Sequence, residues 1–566
     1  MAKIEISLGP YLKSVNAALK EIERTSVVQR IWDLDHKVWK KEPMEIANRL
    51  GWLRSPMDMR QRLSEMKAFT NDVRSAGYTH ALVLGMGGSS LTPFVISRTF
   101  GVKKGFLHLA VLDSTDPAAV GEYADKLDPA KTLFIVSSKS GTTVEVLSFF
   151  KYFYTRAVKV LRKEKPGEHF IAITDPGNSL NDLAEKYRFR RVFSGDVTIG
   201  GRFSALSVFG LLPASLTGMD ISLLLNRAIA MADACQQPDA TWSGTNEGLK
   251  LGAALGALAR AGRDKLTFFI SQKTASFGDW VEQLIAESTG KEGKGILPVI
   301  GEEPDSPELY SDDRVFVSMK LPGDDSLEPS LGRIVAAGHP LIRIFMDDIY
   351  DLGGQFFLWE FATVVAGHVL GINPFDQPNV ESTKVHTKAA VDKYRKRGRL
   401  SSKAPILTEE NISVFTRSKP GSLKQALHSF LADAREGSYI SIQAYINPTQ
   451  EAQKALKALR LFLLDTYRIP TTLGYGPRFL HSTGQLHKGD AGKGFFIQIT
   501  CDDVSDLPIP YEAGSGISSI TFGILKAAQA IGDLQALTEA GRHVIRLHIG
   551  DPDINAAISR ITKALQ

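Results

Sequence analysis

Short apolar runs along the chain alternate with longer stretches in which apolar residues recur every three or four positions. Runs over 80–84, 107–112, 133–136, 170–173 and, more weakly, 191–193 predict five strands, with helical patterns between them. A β-α-β-α rhythm of apolar strands predicts a parallel, doubly wound sheet covered on both faces. The rhythm returns in strands near 266–270, 296–300, 314–319 and 341–346, with helices over 277–288, 353–370 and 379–396. A third set follows, with strands over 439–446, 495–500 and 543–549 and helices over 449–467 and 517–532. Residues 1–70 read as helical, broken at Pro43 and Pro56, and 205–260 as a mostly helical connection. A stretch containing Ser, Pro and Lys at 401–420 reads as a boundary. The expected fold class is therefore α/β. It has a helical N-terminal segment (1–70), two doubly wound parallel-sheet domains (71–250 and 251–400) and a C-terminal α/β module (401–566).

Charge and composition narrow the function. The 67 basic and 62 acidic residues nearly balance, to a net +5. The longest basic cluster, Lys393-Tyr394-Arg395-Lys396-Arg397, reads as a solvated helix end, so no nucleic-acid partner is expected. Cys235 and Cys501 stand far apart without metal-ligand spacing, which argues against a disulfide framework or a structural zinc. The start of the chain lacks the apolar core of a signal peptide, and no uncharged apolar run approaches the roughly 18 residues that span a bilayer. A soluble, cytoplasmic protein with no membrane partner is expected.

The candidate chemistry lies where the predicted strands end. The third run stops in Ser137-Ser138-Lys139-Ser140-Gly141-Thr142-Thr143, and a helix begins just after it. A strand, a turn rich in hydroxyls and a helix N-terminus together suit a phosphate dianion. The nucleotide P-loop spacing is absent, so the expected ligand is a small phosphorylated metabolite. A helix cap needs one hydroxyl; this turn has several and a lysine. Gly85-Met-Gly-Gly-Ser89-Ser90 follows the first strand without the spacing of a dinucleotide fingerprint, and it places Ser89 toward the same ligand. Gly200-Gly201-Arg202-Phe-Ser sets an arginine after two glycines, where it could steady a developing oxyanion. Gln283 and Glu287 share a helix face, which makes Glu287 a candidate general base. Gln377 and Lys384, two turns apart, share another. Taken singly, each of these is compatible with an ordinary turn or a solvated helix.

In this order the segments resemble the glucose-6-phosphate isomerase (phosphoglucose isomerase) family, from about residue 75 to 390. That resemblance implies two sugar-isomerase (SIS) domains. Gly-Gly-Arg-Phe-Ser and Phe-Asp-Gln-x-x-Val-Glu-x-x-Lys are its most specific motifs, whereas Ser-Lys-Ser-Gly-Thr-Thr alone would indicate only an SIS domain. It implies that Ser89, Ser138, Ser140 and Thr143 hold the phosphate, with Lys139 among them. It gives Arg202 the enediolate, Glu287 the proton carried between C1 and C2, and Gln377 and Lys384 the far wall, the lysine assisting ring opening. The implied reaction interconverts glucose 6-phosphate and fructose 6-phosphate with no cofactor or metal, commonly in a homodimer. Two departures stand out. Asn379 occupies a position where the family usually has Gly or Ala. The family's ring-opening histidine motif is missing between the Glu and Gln motifs, where only His339 and His368 occur. A similar run, Gly476-Pro-Arg-Phe-Leu-His481-Ser-Thr-Gly-Gln-Leu-His487, stands in the third module. His481 is the expected ring-opening acid, reaching its own or a neighbouring subunit's site, with His487 and His339 behind it. The N-terminal region and third module also resemble the isomerase half of bacterial transaldolase–isomerase fusions, without the transaldolase barrel. Two other readings remain open. One is a dual glucose/mannose 6-phosphate isomerase. The other is a non-catalytic SIS sensor, which would need the cradle but not the trio Arg202, Glu287 and Lys384.

Overall fold

The structure, a computed structural model, describes residues 3–161, 165–400, 404–551 and 553–566. The first residues of the expected boundary stretch, 401–403, and the first two of the chain lie outside the described residues. Every strand expected from the apolar runs forms within one or two residues of its expected bounds.

The first sheet runs His108–Leu112, His80–Gly85, Thr132–Ser137, Phe170–Thr174 and Arg191–Ser194, all parallel. All six residues of Thr132–Ser137 are buried, as expected for a strand covered by helices on both faces. The winding reverses between His80–Gly85 and Thr132–Ser137. At such a switch point the crossovers leave toward opposite faces and open a crevice at the carboxyl ends of the strands. Gly85 and Ser137 are register partners there, so the turn carrying Ser89 and the turn carrying Ser138 start at one level on either side of the crevice.

The second sheet runs Leu297–Val299, Lys265–Ile270, Arg314–Lys320 and Leu341–Phe345, again parallel and with the same winding. Its edge is closed by Lys3–Ser7, antiparallel to Leu341–Phe345. This corrects the reading of 1–70 as helical throughout. Five residues of alternating character carry too short a period-two signal beside the longer helices that follow. Helices Ile221–Cys235 and Glu247–Arg260, from the expected connection, pack on the helix Leu352–Leu370, which is buried except at His368 and Val369.

The third sheet runs Thr471–Tyr475, Tyr439–Tyr445, Gly494–Cys501 and His543–Ile549 in parallel, then Ile412–Phe415 and Leu407–Glu409 in antiparallel. Its four parallel strands repeat the order of the second sheet, down to an antiparallel strand beside the fourth. The helix expected over 517–532 begins only at Phe522, because Ser518–Thr521 pairs with Pro508–Pro510. Thr521 then caps it, its hydroxyl accepting from the Ile524 N–H at 3.2 Å.

Contacts from the third module converge on the carboxyl ends of the first sheet. Arg478 lies 3.4 Å from Asp113 and 3.2 Å from Asp279. Lys526 lies 2.7 Å from Asp116. Leu486 packs so closely on Gly290 that a Cβ there would stand 2.3 Å from its Cα. Among the described residues, no helix is long and apolar enough to cross a membrane.

Candidate active site

Four chain segments distant in sequence meet at the crevice, and glycines allow them to. A Cβ on Gly88 would stand 1.9 Å from the Gly201 carbonyl oxygen, so the first glycine-rich turn and the Gly-Gly-Arg turn touch backbone to backbone. Gly87, with φ of 55°, lies against the Gln283 amide and the His481 backbone. The expected site residues of the first domain, of the base-bearing helix Phe277–Thr289 and of the third module are thereby drawn into one place.

The cradle is the turn after Thr132–Ser137. The next strand's turn holds it: Thr174 Oγ1 donates to the Ser138 carbonyl at 2.7 Å and Asn178 Nδ2 to the Lys139 carbonyl at 3.0 Å. Ser138 Oγ and Thr143 Oγ1 lie 3.0 Å apart, and Ser140 Oγ and Thr142 Oγ1 3.1 Å apart. Four hydroxyls thus stand side by side before helix Val144–Leu161, and Ser89 sits in the first turn of helix Gly88–Phe100 across the crevice. Two helix N-termini thus follow neighbouring strands at one level of the sheet, an arrangement that suits a dianion. Lys139 departs from its expected place. Its ammonium is bound to Asp175 and donates to the Asp196 carbonyl at 3.0 Å, so it braces the turn from outside the row of hydroxyls.

Arg202 is buried, and its guanidinium is fixed on four sides. Nε donates to Ser288 Oγ at 2.8 Å, one terminal nitrogen to Gln377 Oε1 at 2.8 Å, and the other to the carbonyls of Pro374 at 2.6 Å and Asp376 at 3.1 Å. A guanidinium has five N–H donors. Four are committed, and the fifth sits on the nitrogen that lies 3.5 Å from Glu287 Oε1. Burial lowers the Arg202 pKa, opposed by Glu287 and Asp376. Lys291, with its side chain 1% exposed, clamps the same loop through Asp376 Oδ1 at 2.8 Å. Burial and the neighbouring Arg202 bring its pKa down to about 8.

Glu287 is mostly buried opposite this cation and accepts from Gln283 Nε2 at 3.0 Å. The same amide nitrogen donates to the His481 carbonyl at 2.7 Å, tying Glu287 to the histidine's backbone. The His481 ring turns the other way, with Nε2 3.0 Å from Glu145 Oε1. Burial alone would lower the His481 pKa; the Glu145 carboxylate outweighs it and holds the imidazole above its ordinary value. Burial would raise Glu145, and His481 instead holds it below the usual carboxylate range. Lys384 is 63% exposed, 3.2 Å from Glu381, and close enough to act electrostatically on both Glu145 and His481.

Of the three histidines left open by the sequence, the structure brings only His481 here, and within its own chain. His487 is buried in the third module, 3.3 Å from Gln443 and packed on Phe496. His339 bonds Arg263 at 3.0 Å just before Leu341–Phe345, at the amino end of the second sheet. His368 bonds the Val38 carbonyl at 2.7 Å. Sequence reasoning missed Glu145, although it closes the cradle stretch at the start of a helix. It also missed Gln485, which answers the Asn379 departure: its amide donates to Asn379 Oδ1 at 2.8 Å and to the Gly290 carbonyl at 2.9 Å.

The phosphoglucose isomerase family model matches residues 54–292, the span that carries the cradle, Arg202 and Glu287. A protein of Methanococcus maripaludis named "Probable glucose-6-phosphate isomerase" is 28% identical over 348 residues, 55% of this chain and 78% of its own. A glucose-6-phosphate isomerase of Rubrobacter xylanophilus is 28% identical over 388 residues, 60% of this chain and 88% of its own. Among solved structures, a glucose-6-phosphate isomerase from Chlamydia trachomatis superposes with a TM-score of 0.59 at 18% identity, covering 69% of this chain and 88% of that one. A hypothetical protein from Thermus thermophilus gives 0.57 at 24% identity, over 68% and 99%. These two likenesses concern the fold. By the family match and the sequence relatives, residues 54–292 of this chain are similar to the phosphoglucose isomerases.

Proposed function

We propose that this chain is a glucose-6-phosphate isomerase that interconverts glucose 6-phosphate and fructose 6-phosphate. The observation that carries the reading is the pairing of one carboxylate with one immobilised cation. Glu287 stands 3.5 Å from Arg202, whose remaining donor faces it. An aldose–ketose conversion needs one base to move a proton between adjacent carbons and one fixed positive charge for the oxygen that becomes negative meanwhile.

The other groups fit the remaining steps. Ser89, Ser138, Ser140 and Thr143 anchor the phosphate, so its binding energy orients the sugar against Glu287. Gly88 allows the close approach to the Gly201 carbonyl, and Gln283 and Gln377 hold Glu287 and Arg202. His481, kept protonated by Glu145, donates to the ring oxygen, and Lys384, exposed at the rim, assists. Once the ring is open, Glu287 takes the C2 proton and returns it at C1, while Arg202 steadies the enediolate. The cytoplasmic location expected from the sequence belongs to the same reading. All of these groups belong to one chain, so the homodimer suggested by family likeness is not required to complete the site.

The test is a coupled assay of fructose 6-phosphate turnover on the wild type, Glu287→Gln and His481→Ala. Glu287→Gln is expected to lose roughly a thousandfold in kcat. His481→Ala is expected to lose turnover of the ring form but keep that of an aldose 6-phosphate lacking the ring-closing hydroxyl. A wild type that binds the sugar phosphate without turning it over would overturn the assignment in favour of a sensor.

A further inference from the structure

Helix Phe522–Glu539 of the third module presents Lys526, Gln529 and Asp533 on one face, and all three are buried. Lys526 bonds Asp116 Oδ2 at 2.7 Å and Asp503 Oδ1 at 2.5 Å. Asp533 pairs with Lys488 at 2.7 Å. Both are charge pairs that fasten the helix. Gln529, between them, is neutral, 2% exposed, and bonded at both ends of its amide. Its Oε1 accepts from Thr115 Oγ1 at 2.8 Å, and its Nε2 donates to Glu145 Oε1 at 2.7 Å. That carboxylate oxygen is the one His481 Nε2 meets at 3.0 Å.

We propose that Gln529 is a positioning residue for ring opening: its amide, anchored at its other end by Thr115, fixes the Glu145 carboxylate that holds His481. This rests on the isomerase reading above. A buried carboxylate keeps its charge and direction only while donors satisfy it. Oxygen Oε1 of Glu145 has two such donors, one from the histidine that must move a proton and one from Gln529, which keeps its own protons. The groups around the pair are Lys384 from helix Glu381–Arg397, Glu287 from helix Phe277–Thr289, and Tyr445 at the end of its strand. Lys384 is the cation among them, and its solvent exposure leaves Gln529 as the fixed donor. The opposite orientation of the amide would set Oε1 against the acceptor-only carboxylate, so Glu145 itself selects the end of the amide that faces it.

Loss of the donor leaves Glu145 underbonded. The pair then binds its proton more tightly, and a more tightly held proton makes His481 a weaker acid. The experiment compares the wild type, Gln529→Leu and Gln529→Glu on glucose 6-phosphate and on the analogue that cannot close its ring, across pH 5.5 to 9.5. Expected for Gln529→Leu is about a tenfold fall in kcat on the ring form, an alkaline limb moved up by about half a pH unit, and an unchanged rate on the open-chain analogue. Gln529→Glu, which sets a second carboxyl beside Glu145, moves the limb further the same way. Lys526→Met serves as the structural control, expected to lower Tm without moving the limb. If Gln529→Leu and Gln529→Glu lose activity on both substrates equally, or with the limb in place, Gln529 is merely structural and the inference fails. An inactive wild type would sink the isomerase reading itself, which separates the two failures.

Discussion

Glu145 shows how one side chain ties stability to the candidate site. It is buried, its pKa is held down by His481, and the His481 pKa is held up by it. The signs of the two contributions follow by linkage. A histidine with a raised folded pKa stabilises fully below its unfolded value near 6.5, and the contribution is lost as pH rises through the folded value. A carboxylate with a depressed folded pKa stabilises above its unfolded value near 4.3, and loses this as pH falls through the folded value. The pair is therefore worth most between those limits. Glu145→Gln is expected to lower Tm most near pH 5.5 to 6, with the gap to wild type narrowing toward pH 9; a gap that stays constant with pH would refute the pairing. At this scale the sequence showed residue types and little of their partners. Lys139 was placed with the hydroxyls because it stands among them, yet its stem carries the ammonium to Asp175. Ser288, Lys291 and Gln529 carried no sequence signal, because nothing local distinguishes a buried hydrogen-bonding residue from a solvated one.

Two kinds of element build the site, strand-end turns and one amphipathic helix. The turns work because glycine removes the atoms that would hold them apart. Gly88→Ala would place a methyl 1.9 Å from the Gly201 carbonyl. Both neighbours are backbone, so no side chain can give way. A loss of about 3 kcal/mol in stability is expected, with a fall in kcat as the Arg202 turn is pushed outward, read by denaturant unfolding alongside the coupled assay. Unchanged stability would mean the two turns are not in contact. The long strands and helices were legible because apolar period and length agree in them. Thr471–Tyr475, Ile412–Phe415 and the pairing of Pro508–Pro510 with Ser518–Thr521 were not. Each is three to five residues long, and its stability comes from a neighbouring strand that local periodicity does not register.

For the whole molecule, the docking of the third module is what the sequence left open. Its parallel strands follow the order of the second sheet, and it docks over the first sheet's switch point to deliver His481. Arg478 bridges Asp113 of the first domain and Asp279 of the base-bearing helix at 3.4 Å and 3.2 Å. Arg478→Met leaves two carboxylates without their cation. A cost of about 2 kcal/mol is expected, below that of a fully buried pair because Asp279 is part-exposed. Amide hydrogen exchange should quicken over 478–489 and 522–539 while the second sheet's strands keep their protection. Uniform quickening across all three sheets would show that the module does not open on its own.

Residue order by itself determined the three α/β rhythms, the strand ends where polar residues gather, and the candidates for base, fixed cation and hydroxyl cradle. Those features are local: an apolar period, a glycine pair, a run of hydroxyls before a helix. Only the tertiary structure decided which histidine reaches the site, that it arrives from the same chain, and that Glu145 and Gln529 stand behind it. Those facts depend on side chains more than 330 positions apart meeting at the crevice. Such meetings are set by how three sheets pack, and no period or motif along the chain encodes them.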